Sequence, residues 1–141
     1  MPCYDSGCEL NSGVPLGGIG AGKIEIFPDG TLANFTHQNN WDNPIGRTSD
    51  LNHIDARVGH HFAVWASERA EGAEPVACLL QTADVAGLLR VERIEYRGEY
   101  PFATLDYIDS ALPLQVRLEA FSPIAPGNLE LSAMPVAVFI F

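Results

Sequence analysis

A chain of 141 residues, 47% hydrophobic and 18% charged, is long enough to close one core without disulfides or a structural metal, and its balance is that of a folded domain. Eighteen acidic against eight basic side chains leave a formal net charge of −10, which repels phosphate backbones and anionic lipid and excludes nucleic acid as an expected partner. No run of eighteen apolar residues is present to span a bilayer, and Asp5 and Glu9 stand where a secretory signal would need an apolar stretch.

The N-terminal region carries Cys3 and Cys8, and with Cys78 these make an odd set at spacings that suit neither a zinc site nor a disulfide framework. Free thiols point to a reducing, cytoplasmic interior. Residues 13–23 then read GVPLGGIGAGK, five glycines in eleven residues. Gly17, four intervening residues and Gly22-Lys23 satisfy most of the phosphate-loop pattern G-x-x-x-x-G-K-[ST]. The last position is Ile24, whose aliphatic side chain cannot ligate Mg²⁺. The context fails as well. A phosphate loop leaves a buried strand and opens a helix, whereas here Gly13 and Pro15 interrupt the strand before it, and residues 23–27 alternate polar and apolar like a strand. The glycines are therefore expected to serve positive φ or close backbone approach.

Ile24 and Ile26 alternate with Lys23 and Glu25, Pro28-Asp29-Gly30 makes a turn, and residues 32–36 return, which predicts a hairpin with glycine at the left-handed position. Residues 38–59 are crowded with Asn, Asp, Gly, Pro and Ser and predict a long loop. HFAVWA at 61–66 and VACLL at 76–80 are short apolar runs that read as strands buried on both faces. Residues 89–96 are mixed, 102–108 form a segment before Pro113, and LQVRLEA at 114–120 alternates, with Leu114, Val116, Leu118 and Ala120 on one face. Seven or eight strands, proline and glycine turns and little helix predict an all-β antiparallel sandwich, since no long helices are available for parallel crossovers. The sequence ends in PVAVFIF, an apolar strand without a following turn, so the chain is expected to be a piece of something longer, an incomplete sandwich.

His53, Asp55, His60 and His61 form the densest ligand-capable cluster, but their spacing fits no common metal motif and adjacent histidines on a strand face opposite ways, so no metal is expected. Asp106 with Asp109, or Glu95 with Glu99, could be offered as the carboxylate pair of a glycosidase, yet they sit among strand and turn residues as solvated surface groups do. No G-x-S-x-G occurs, and Cys78 lies in an apolar run that raises a thiol pKa. Trp41 and Phe35, with the asparagines of NNWDNP, could form a carbohydrate platform, an aromatic face flanked by amides; the alternative is a tryptophan that covers the end of the core. Asn34-Phe35-Thr36 is a formal glycosylation sequon, relevant only to a secreted chain.

Three segments taken together, GVPLGGIGAG at 13–22, RGEYPFATLDY at 97–107, and VRLEAFSPIAPG at 116–127 followed by PVAVF at 135–139, resemble the N-terminal domain of glycoside hydrolase family 116, the family of non-lysosomal glucosylceramidase and related microbial β-glucosidases. The resemblance implies a β-sandwich domain over 1–141, only part of the family's N-terminal domain, packed in the full-length protein on an (α/α)₆ barrel that hydrolyses β-glucosides with retention. The catalytic carboxylates belong to that barrel, so no catalytic residue is carried over to this chain, no cofactor is expected, and the fragment alone is expected to be inactive. Gly17, Gly18, Gly20 and Gly22 become candidates for an interface with the barrel, and Trp41 for substrate contact. The alternative function is a stand-alone carbohydrate-binding module.

Overall fold

The computed structural model describes residues 3–7, 12–38, 60–85 and 87–141. Among the described residues the strands are, in chain order, β1 (Tyr4–Asp5), β2 (Val14–Leu16), β3 (Gly22–Ile26), β4 (Leu32–His37), β5 (Ala63–Ala66), β6 (Val76–Leu79), β7 (Arg93–Glu99), β8 (Phe102–Ile108), β9 (Val116–Phe121) and β10 (Val138–Ile140), with a helical turn, α1 (Leu129–Ser132), before the last. All ladders between strands are antiparallel. One sheet has the order β1-β7-β8-β9-β10, a second β2-β3-β4, and a two-stranded ribbon pairs β5 with β6. The all-β sandwich read from the sequence is the observed architecture.

Period-two alternation builds the five-stranded sheet. In β8, Ala103, Leu105 and Tyr107 are buried while Thr104 and Asp106 face outward, and the register aligns Tyr96, Leu105 and Leu118 across three strands, with Ile94 beside Tyr107 and Ala103 beside Ala120. Against this inner face pack Val14, Leu16, Ile26 and Leu32 of the second sheet, and Cys78 and Leu80 at the ribbon. The Tyr96 hydroxyl joins the layers: it accepts the Val14 N–H at 3.1 Å and donates to the Ile26 carbonyl at 3.2 Å. The outer face carries charge instead. Asp106 accepts from Arg97 at 2.8 Å and Arg117 at 2.5 Å, and Arg93 donates to Glu95 at 2.9 Å.

The predicted hairpin forms, with Gly30 at φ +84°, but its turn is interior. Asp29 Oδ1 accepts from the Thr31 N–H at 2.9 Å and the Thr31 hydroxyl at 2.6 Å, and the Asp29 carbonyl receives the Thr82 N–H at 2.8 Å, so the turn docks on the chain leaving β6. Between Lys23 and Glu25 the register slips, and Asn34 takes φ +54° at this bulge.

Two expectations are corrected. Pro15 does not break the strand: β2 is an edge strand, where a residue without an N–H is tolerated. HFAVWA is not buried on both faces, because β5 belongs to a two-stranded ribbon whose outer face is open; Trp65 is 71% exposed. An apolar run cannot report whether a second layer exists above it. β9 begins at Val116, with Leu114 exposed before it, and the terminal strand is β10.

Candidate functional site at the glycine loop

The glycine segment connects β2 to β3 at one end of the sandwich, and hydrogen bonds tie it to neighbouring elements. The Gly17 N–H donates to the Ser122 hydroxyl at 2.6 Å, just after β9, and the Ile19 N–H donates to the Ser132 carbonyl at 2.8 Å, in α1. The Ala21 N–H meets the Gly18 carbonyl at 3.0 Å and the Lys23 N–H meets the Thr36 hydroxyl at 3.1 Å. A phosphate cradle needs amides that converge on an anion at the start of a helix. These amides serve protein acceptors, and Lys23 lies in a strand.

Glycine is required most clearly at Gly17 and Gly18. Gly17 has φ +145°, and a Cβ there would collide with the Gly22 carbonyl; at Gly18, which is not left-handed, it would collide with the carbonyls of Ala133 and Met134. Gly22 lies against the Thr36 carbonyl, whereas Gly20, at φ +78°, faces open space. Of the four glycines, three thus make their close approaches to this chain's own backbone, and Gly20 leaves its side free.

The helical turn that receives the loop has its own local cause. Asn128 Oδ1 accepts the Leu131 N–H at 3.0 Å, and the Ser132 hydroxyl bonds the Ala125 backbone at 3.0 Å. On this side of the loop a hollow of about 300 Å³ is lined by Ile19, Ile124, Pro126 and Leu129, and Ile19 (55%), Leu129 (71%) and Met134 (42%) are exposed. On the other side a groove of about 610 Å³ is lined by Pro15, Ile19, Lys23, Thr36, Gln38 and Tyr100. Lys23 pairs with the buried Glu25, which also accepts from Asn34 Nδ2 at 2.9 Å. Gln38 sits at φ +54°, its N–H held by the Ala21 carbonyl at 3.1 Å.

The other residues singled out in the sequence do not converge here. Trp41, His53 and Asp55 lie outside the described residues. The His60 ring meets Phe35 edge-on at 4.8 Å, and His61 Nδ1 lies 2.5 Å from Gln81 Oε1, so the two histidines serve different neighbours. Among the described residues, no cluster of three His, Cys, Asp or Glu could hold a metal ion. Burial pushes the Cys78 thiol up, with the nearby Asp109 charge adding to it. The offered pair Asp106 and Asp109 has structural uses: the paired Arg117 and Arg97 hold Asp106 below the ordinary carboxylate range, and Asp109 accepts the Ala111 N–H at 2.8 Å. A glycosidase acid needs the opposite shift. The sequon asparagine is engaged with Glu25. Sequence reasoning passed over Tyr100, Gln38, Leu129 and Met134. Tyr100 had a usable signal, an aromatic before proline between two strands; the others acquire meaning only through neighbours distant in the chain.

Fold and loop together define an antiparallel β-sandwich domain closed at one end by a glycine-rich connection. The family described as beta-glucosidase 2, glycosyl-hydrolase family 116 N-term, matches residues 13–141, from the first glycine of the segment to the last residue, and the chain belongs to that family. No curated protein matches the chain.

Proposed function

We propose that this chain is a non-catalytic β-sandwich domain that supports the (α/α)₆ catalytic barrel of a β-glycosidase, the full-length protein hydrolysing β-glucosides, glucosylceramide-like substrates included, with retention of configuration. The family match over residues 13–141 carries this reading. Two features support it. The carboxylates best held by the sheets, Asp106, Glu25 and Asp29, serve ion pairs or turns. The α1 side of the glycine loop also presents exposed Ile19 and Leu129 around one hollow, a pattern that suits a partner domain. Gly20 then gives the loop tip the clearance a docked surface needs, while Gly17, Gly18 and Gly22 hold the loop in shape. The barrel belongs to the same polypeptide, and free Cys3 and Cys78 suit a reducing, cytoplasmic location. Among the described residues no helix is long and apolar enough to cross a membrane.

The test is enzymatic. The 141-residue chain should not hydrolyse an aryl β-glucoside above background, and the full-length protein should. Activity in the isolated chain that disappears on substitution of one of its own carboxylates would overturn the proposal.

A further inference from the structure

The groove on the side of the loop away from α1 has a chemistry of its own. Its aliphatic surface comes from Pro15 and Ile19, and Tyr100, 54% exposed at the tip of the β7–β8 hairpin, lines it as well. Polar groups stand along the β3–β4 side. The Thr36 hydroxyl accepts the Lys23 N–H and keeps its own O–H as a donor, and the Gln38 side chain is exposed at a backbone position fixed by Ala21. About 610 Å³ lies within the range of small-molecule sites and exceeds what one hexose needs.

Charge selects among occupants. Lys23 is paired with Glu25, so the groove offers no uncompensated cation from that lysine. The amides of Gly17, Ile19, Ala21 and Lys23 already donate to protein oxygens, so they form no nest for an anion. The whole chain carries −10, which further disfavours phosphates and carboxylates. What fits is a neutral molecule with one apolar face and a rim of hydroxyls. A pyranose ring has that shape: its axial C–H bonds form a face that packs on an aromatic ring, and its equatorial hydroxyls point outward.

We propose that this groove is a subsite for a neutral sugar ring, which stacks on Tyr100 and hydrogen-bonds through its hydroxyls to Thr36 and Gln38. The site lies beside the proposed docking surface, separated from it by the loop. The choice of a β-glucoside as probe rests on the function proposed above; the groove's preference for a neutral glycoside does not.

The experiment is a titration of the ¹⁵N-labelled 141-residue chain with methyl β-glucoside, methyl α-mannoside and glucose 6-phosphate, followed by amide chemical shifts. Either neutral glycoside should produce saturating shifts confined to Gly18, Ile19, Gly22, Lys23, Gln38 and Tyr100, with Kd in the millimolar range expected of a small, open site. Which of the two is preferred bears on the glucosidase reading and not on the groove. Tyr100→Ala should weaken binding about tenfold, and Tyr100→Phe should restore it, since the ring supplies the stacking face. The proposal is overturned by an absence of saturable shifts up to about 100 mM, by shifts centred on Trp65, by a stronger response to the phosphate, or by Tyr100→Ala binding like the parent.

Discussion

Tyr96 and Tyr107 both point into the core, yet their hydroxyls meet different surroundings. Tyr96 bonds Val14 and Ile26, whereas among the described residues the buried Tyr107 hydroxyl has no hydrogen-bond partner. Removing the first oxygen strands a buried donor and acceptor; removing the second relieves an unpaired group. Urea unfolding should therefore show Tyr96→Phe destabilised by about 1–3 kcal/mol and Tyr107→Phe unchanged or more stable. Burial pushes the Tyr96 phenol up to about 12 from an ordinary 10.0, so its contribution is intact below pH 10 and lost as pH rises toward 12. Asp29 is the acidic counterpart. Burial raises its pKa against the pull of the Thr31 hydrogen bonds, so its contribution is present below its ordinary 3.8 and declines as pH rises through the folded value. Asp29→Asn keeps an acceptor for both Thr31 donors and should flatten that decline. Asp29→Ala should lose the turn and unfold more readily at every pH.

Among the elements, the β7-β8-β9 ladder divides its labour by face. Inward alternation makes the core, and outward alternation places Asp106 between Arg97 and Arg117. The partners keep Asp106 ionised well into acid, so its contribution holds above pH 3.8 and fails as pH falls through its lowered pKa, a direction opposite to that of Asp29. Asp106→Asn should cost little at pH 7, because the arginines are exposed and screened, and the difference from the parent should disappear in strong acid. Thermal unfolding at several pH values reads both slopes. On the inner face, Gly98 leaves room for the Tyr96 ring: a Cβ there would lie 2.8 Å from the ring and 2.9 Å from a Val14 methyl. Gly98→Ala should therefore destabilise the sandwich by about 1–3 kcal/mol through overpacking.

For the whole molecule, the proposed docking surface makes a claim that separates folding from assembly. Ile19 and Leu129 are exposed, so Ile19→Asp and Leu129→Asp should leave the melting temperature of the 141-residue chain near that of the parent. In the full-length protein the same changes should lower thermal stability and activity, since charge would be buried against a second domain. Equal tolerance in both settings would locate docking elsewhere. Gly18→Val should act in both, because its obstruction is the chain's own backbone at Ala133 and Met134.

By itself the sequence determined what local chemistry controls: alternation in residues 102–108 and 116–120, the left-handed glycine of the Pro28-Asp29-Gly30 turn, the failed phosphate loop at Ile24, and the all-β class. Its three-segment resemblance also reached the family. Tertiary structure decided what no local pattern carries. It left one face of β5 uncovered, turned a hairpin tip into the interior, and set the glycine loop between Ser122 and Ser132. It also gathered Leu16, Lys23, Gln38 and Tyr100 around one groove. Strand period and turn propensity act over a few residues, while the order β1-β7-β8-β9-β10 and the stacking of one sheet on another arise from burial shared among segments far apart in the chain.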